Sequence, residues 1–413
     1  MSEIMIDQFD SWLQDNGPAA LVFHRLLLPI EGKESWIFPP TFASSESVED
    51  EDERNGSDYQ IDQLPDDPRH NVCLIDSIGS QANRMEPMFK NEPYSALVPL
   101  RVVEMKNGDI VNLLDVGHRA ADAAIRFSKN LGPKIWAGFD LMKRKRDCSA
   151  LAKLAPTSLV FGVWDSRATG VKIQRIVRSV IRAYNVRKAK RSATYQASYD
   201  YTGNELIGSE HDKGNGKNNP LSQEGFKFSL ATGTHGGVQV LGDIRQEAII
   251  NLVALRTLTA DLKLKRYLLG LALVALSYRD QQCFNLREGC LLRAKSKEDF
   301  DGNWKSVNFD GTENSNKITH EIALQYAQFT AEEMSFDVSE LDTFDKETAE
   351  AWLKIEKKKR KTLAKTKHPA KAIADAAKAV TDAKAIADEV AKALKGKEKE
   401  DALQLPAGNE APQ

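Results

Sequence analysis

The chain has 413 residues and a net charge of −2, with 41% hydrophobic and 28% charged residues. That composition excludes a wholly disordered or a fibrous chain, and the length allows about two to four domains or one large domain with insertions. The longest apolar run, Leu268 to Leu276, is 9 residues, too short to span a bilayer.

The opening MSEIMIDQFDSW lacks the basic-then-apolar order of a secretory signal. In chain order, strand-like runs follow at Leu21–Leu28, Val72–Ile78, Ala96–Glu104, Ser158–Asp165 and Gly237–Leu241, each bounded by turn residues and most of them short and β-branched or aromatic. Helical spacing fills the intervals. Asp115 is placed to cap a helix with the stripe Val116, Ala120, Ala123, Phe127 and Leu131, ending at Gly132-Pro133. A second helix is predicted from about Gly170 to Tyr184. A third begins at Asp243, with Gln246 completing a capping box. A fourth covers about Asp261 to Tyr278. Strands mixed with helices argue for an α/β or α+β core.

Three stretches depart from this pattern. Residues 43–69 are acidic and polar and read as a surface loop. Residues 198–233, with KGNGKNN, read as a flexible insertion. Beyond residue 343 the chain changes character: KKKRK at Lys357–Lys361 precedes eleven alanines between Ala370 and Leu394. There Ile373, Ala376, Val380, Ala383, Ala387, Val390 and Leu394 form a heptad seam that fits either a partner helix or a solvated, marginal one. The expected boundaries are a main unit over 1–343, a helical extension over 344–397, and a disordered tail over 398–413. Removing everything after Phe344 should then leave the main unit folded. Cys73, Cys148, Cys283 and Cys290 are too few for a disulfide framework and lack zinc-ligand spacing, which points to a cytoplasmic protein with reduced thiols.

Charge is segregated. Glu46–Asp67 holds ten acidic residues and one arginine, whereas Arg126–Arg191 holds seventeen Lys/Arg against three Asp. Such segregation is the footprint of a polyanion binder, or of a solvated face offset elsewhere in the fold. On the predicted 170–184 helix, Ile173, Ile176, Val177, Val180, Ile181 and Tyr184 fall on one side and Lys172, Arg175, Arg178 and Arg182 on the other. Arg187, Lys188, Lys190 and Arg191 extend the track. No acid interrupts Arg167 to Arg191, and a ladder of cations at one-turn intervals suits successive phosphates. A second cluster, LIDSIGSQANRMEP, gathers Ser77, Ser80, Gln81, Asn83 and Arg84, which suit ribose and phosphate oxygens or simply cap a helix. The GTHGG stretch at Gly233–Gly237 is either a close backbone approach or a turn. His118 and Asp122 at i,i+4 could share a metal, or a hydrogen bond. P-loop, GxGxxG and GxSxG signatures are missing from the sequence.

The segments DSIGSQANRME, GHRAADAAIRFS, SLVFGVWDSR with its continuation to IRAYNV, RSATYQ, and GDIRQEAIINLVALRTL occur in this order. Together they resemble the backbone subunit of type I-G (formerly I-U) CRISPR surveillance complexes, in the RAMP superfamily, over about Leu21 to Arg293. The resemblance implies an α+β fold: a ferredoxin-like, RRM-type palm with an inserted thumb and helical region, here followed by the C-terminal Ala/Lys-rich helix. It implies a non-catalytic scaffold that polymerises along CRISPR RNA and presents the guide to target DNA, without a cofactor. Its partners would be CRISPR RNA, the paired target DNA, copies of itself, the large subunit, the guide-processing subunit and a recruited helicase–nuclease. Matching the motifs makes Ser80, Gln81, Asn83, Arg84, His118, Arg119, Ser166, Arg167, Lys172, Arg175, Arg178, Arg182 and Arg191 candidate RNA contacts, and gives Phe161 and Trp164 to palm packing. The acidic stretch should lie on the outer face. The thumb is expected at 198–233 or around Leu141–Ala155. The alternative is a metal-dependent RNA-cleaving subunit of the type III kind, for which Asp76 and Asp165 are the nearest carboxylates, each isolated where two-metal chemistry usually wants several.

Overall fold

The computed structural model describes residues 3–43, 57–64, 67–214, 218–278, 284–334, 336, 341–355, 362–363, 375–376 and 378–379. The chain begins with α1 (Glu3–Leu13) and β1 (Ala20–Pro29), then β2 (Asp67–Asp76), α2 (Ile78–Met85) and α3 (Leu131–Lys145). Next come β3 (Val177–Tyr184), the long hairpin β4 (Val186–Tyr195) and β5 (Ser229–Val240), and β6 (Ile244–Asn251). The last part holds α4 (Leu262–Ser277), β7 (Cys290–Ala294), β8 (Asn303–Val307), α5 (His320–Glu332) and α6 (Lys346–Lys354).

Strict alternation makes β1 a half-buried strand. Leu21, Phe23, Arg25 and Leu27 point inward, while His24 is exposed and Val22 and Leu26 are half-buried on the other face. β1 pairs with β6, β6 with β3, and β3 with β2, all antiparallel; β7 and β8 pair with the two ends of β1 on its other side. The sheet therefore runs β7/β8–β1–β6–β3, the fourth-first-third-second order of a ferredoxin-like fold, with β2 and the short strand Ile61–Leu64 added beyond β3. The fold is α+β, as expected: an RRM-type sheet with helices against its inner face. No helix among the described residues is long and apolar enough to cross a membrane.

Two predicted helices are strands. Residues 177–184 form β3, with Val177, Ser179, Ile181 and Ala183 buried and Arg178, Arg182 and Tyr184 more open. Residues 244–251 form β6, and helix begins only at Leu252, where Asn251 accepts the Ala254 amide. Both segments carry apolar residues that satisfy a helical stripe, but pairing on both edges and the β-branched Val and Ile favour the sheet. The helix predicted from Asp115 is broken into 3₁₀ turns at Leu113–Asp115 and Arg119–Ala121 and one α turn at Ala123–Arg126, and Gly132-Pro133 opens α3 instead of ending a helix. His118 and Asp122 thus share no helix, and Asp122 accepts the Ala124 amide at 3.0 Å. Within 158–165, a helical turn (Pro156–Val160) precedes a two-residue strand, Val163–Trp164; within 96–104 only Val102–Glu104 is strand. GTHGG lies inside β5.

The inner face carries two apolar clusters. One gathers Leu21, Phe23 and Ile250 with α1, α4 and α5; the other gathers Leu27, Cys73, Ile181, Val240 and Ile244. Between them runs a buried polar chain. Arg25 Nη1 donates to Gln246 (3.1 Å), Gln246 Nε2 to Gln81 (3.1 Å), Ser179 Oγ to Gln81 (2.8 Å), and Gln81 Nε2 to Asp76 (2.6 Å). Buried polar groups are tolerated when each finds a partner, which explains a glutamine at an inward position of β6.

The expected boundary at 343 cuts through packed structure. Leu341–Thr343 is a parallel strand beside Val102–Glu104, and Ala351, Trp352 and Ile355 are buried. The alanine-rich seam lies outside the described residues except 375–376 and 378–379, which are helical, as do Lys357–Lys361, the 398–413 tail, Cys283 and most of the acidic stretch. The described part of that stretch is stranded: Ile61–Leu64 pairs with β2, and Asp58 meets Lys188. Residues 198–214 and 218–228 lie at the tip of the β4–β5 hairpin, with Pro220–Gln223 helical.

Asp342 ties this segment to α3. Its buried carboxylate accepts the amides of Asn130 (2.9 Å) and Leu131 (2.6 Å). Burial alone would raise its pKa, but the amides of Leu131, Thr343 and Asn130 outweigh burial and hold it below the usual carboxylate value. A depressed native pKa means the unfolded chain binds more protons in acid, so this stabilisation is present at neutral pH and is lost as pH falls below about 4. Asp342→Ala should cost about 1–2 kcal/mol at pH 7 and less at pH 3, measured by urea unfolding at both; an equal cost would show that the charge contributes nothing.

Candidate nucleic-acid interface

The short strand Val163–Trp164 pairs with Lys172–Ile173, and the loop between them is pinned from inside. Asp165, buried, accepts the Thr169 amide (2.8 Å) and hydroxyl (2.7 Å), and its carbonyl accepts the Gly170 amide (2.9 Å). Ser166 and Arg167 are thereby held out to solvent on an ordered turn. Gly162, at φ +78°, lets this loop cross close under the sheet, where an added Cβ would meet Arg175 Cγ at 2.5 Å.

This loop, the start of β3 and the end of β6 enclose a cleft of about 930 Å³ lined by Arg119, Arg167, Lys172, Arg175 and Arg178 and, among the described residues, by no carboxylate. His118, Ser166 and Trp164 complete the rim, with Ile173 and Ile249 supplying apolar surface. Arg119 lies deep: its Nε donates to buried Glu86 at 2.7 Å, and it also reaches Gly162 and Asn83. Burial pushes the Glu86 carboxyl up to about 7 against the pull of Arg119. The four remaining cations form no ion pair among the described residues. Burial, and then the neighbouring Arg119 charge, lower the Arg175 pKa, and its Nε donates to the Phe161 carbonyl at 3.0 Å. Unpaired like charges in one concavity focus a positive field, and an anion entering it would relieve their repulsion.

The cleft brings together His118, Arg119, Ser166, Arg167, Lys172, Arg175 and Arg178. The remaining candidates lie elsewhere. Arg182 is on β3 in an adjoining concavity that shares Arg178 and Ile249, and it pairs with Glu247 at 3.1 Å. Arg191 sits on the β4–β5 hairpin, 5.8 Å from the Phe38 ring. In the SQANR motif, Gln81 is buried in the internal chain and Arg84 holds Asp76 at 3.1 Å and the Leu286 carbonyl at 2.6 Å. Ser80 supports the turn at Ser77, and Asn83, although exposed, accepts from Arg119. This motif therefore joins helix to sheet; Gln81 is buried in the internal chain, and Arg119, also buried, lines the depth of the cleft.

Trp164 corrects the opposite way. Phe161 packs in the core, as expected, but Trp164 is 59% exposed at the cleft mouth, with the Lys172 ammonium 5.5 Å from its ring. Val163 and Asp165 on either side are buried, which leaves Trp164 on the open side of this extended segment; no sequence signal showed which side that would be. Asp76 and Asp165, the carboxylates weighed for metal-dependent cleavage, are 1% and 2% exposed and bonded internally.

Residues 21–188 match the family model described as CRISPR-associated protein GSU0053 (Cas_GSU0053). Over that span the chain is similar to a CRISPR-associated family. The matched span begins in β1 and contains every cleft residue named above except Ile249. No curated protein matches the chain significantly.

Proposed function

We propose that the chain is a non-catalytic, CRISPR-RNA-binding backbone subunit of a type I-G surveillance complex, which stacks along the guide and leaves its bases open to target DNA. The observation that carries this reading is the carboxylate-free cationic cleft beside an RRM-type sheet. Charges of one sign in a concavity recognise a phosphate backbone irrespective of sequence, which is what a guide scaffold requires when base pairing supplies specificity. The likeness of residues 21–188 to a CRISPR-associated family supports a role in antiviral defence. The partners in this reading are further copies of the chain, the large and guide-processing subunits, and a recruited helicase–nuclease. The cleaving alternative is weaker because Asp76 and Asp165 are buried and committed to internal bonds.

The test is purification from a nuclease-treated lysate, with the ratio of nucleic-acid to protein absorbance recorded across a sizing column. RNA that resists nuclease, in particles much larger than 45.9 kDa, is expected. A monomer free of nucleic acid, which also binds none on titration at low salt, would overturn the proposal.

A further inference from the structure

We infer that Trp164 is a stacking platform for one unpaired nucleobase, so that the cleft takes a single strand in preference to a duplex. The inference rests on the proposed RNA-binding reading and goes beyond it, because phosphate contacts alone do not distinguish a single strand from a helix.

Trp164 is 59% exposed, whereas Trp12, Trp304 and Trp352 are each under 5% exposed. A large aromatic ring left open beside a rim of charge presents an apolar face with polar partners at its edge, the arrangement a nucleobase can cover. Its backbone is fixed by pairing with Lys172 and by the Asp165–Thr169 turn, so the ring is held on a rigid support. The Lys172 ammonium lies 5.5 Å from the ring centroid, an arrangement that leaves a cation positioned for the phosphate of a nucleotide whose base stacks on the indole. Arg167, Arg175 and Arg178 line the same cleft, where neighbouring phosphates of that strand would fall. Single-strand binders combine these two parts, a cationic groove and aromatic faces that accept any base. Stacked bases in a duplex offer no free face to the ring.

The experiment uses the full chain and two probes: an oligouridylate of about twelve nucleotides, and a ribose-phosphate strand of the same length with abasic residues throughout. Trp164→Ala should weaken oligouridylate binding about tenfold and leave abasic-strand binding unchanged, while Trp164→Phe keeps most of the affinity. Arg178→Glu should weaken both. The wild type should prefer oligouridylate to a duplex of equal length. If Trp164→Ala weakens both strands equally, or neither, while Arg178→Glu still weakens both, stacking is wrong and the cationic cleft stands. If Trp164→Ala leaves binding intact but changes particle size, the ring is covered by another copy and the inference fails. If Arg178→Glu changes nothing on either probe, the RNA-binding reading itself has failed.

Discussion

Reversing two cations of the cleft, Arg167→Glu together with Arg178→Glu, is expected to weaken single-stranded RNA binding on the order of a hundredfold. Each residue is exposed and forms no ion pair among the described residues, so the substitutions should leave the fold in place. A charge-assisted hydrogen bond contributes about 1.5–3 kcal/mol, and losing two at the lower end corresponds to about two decades of affinity. The slope of affinity against salt should flatten as well, by about 0.7 for each lost phosphate contact on a single strand. Arg175 is a poorer choice than charge alone suggests, because its Nε also holds the Phe161 carbonyl. A folded double variant with wild-type affinity and salt slope would remove the cleft from the RNA path.

Trp352→Ala is expected to destabilise the protein by about 3–5 kcal/mol, comparable to much of a domain's total stability. Trp352 is 3% exposed and meets Trp136 of α3 edge-on, with ring centroids 5.6 Å apart. Trp136 in turn meets Phe127 at 6.2 Å, and the Asp345 amide donates to the Phe127 carbonyl at 2.6 Å. Deleting the chain after Phe344 would remove α6 and expose this aromatic row. The truncated protein should therefore be poorly soluble or strongly destabilised, contrary to the expectation from composition. Denaturant unfolding of the point variant checks this, and a change below about 1 kcal/mol would show that α6 is dispensable.

The two results come from different levels of the molecule. The cationic ladder was legible because cations at i and i+4, such as Arg178 and Arg182, share a face in a strand as well as in a helix; the wrong element still grouped them. Lys172 and Arg175 joined the cleft through the short strand and the turn before β3. The role of α6 was not legible, because Trp352 sits in a polar, lysine-rich sequence and becomes core through distant partners such as Trp136.

By itself the sequence determined β1, as a short apolar run bounded by turn residues, and α4, as a long apolar run after Asp261. It also determined the sign and place of the charge and the motif order that carries the family likeness. Tertiary structure decided which of two compatible periods residues 177–184 and 244–251 adopt, since pairing on both edges adds to their β-branched preference and tips them into the sheet. It also decided that Gln81 and Arg119 face inward while Trp164 faces out. Local pattern specifies which residues can share a face, but burial depends on what a distant segment brings to that face.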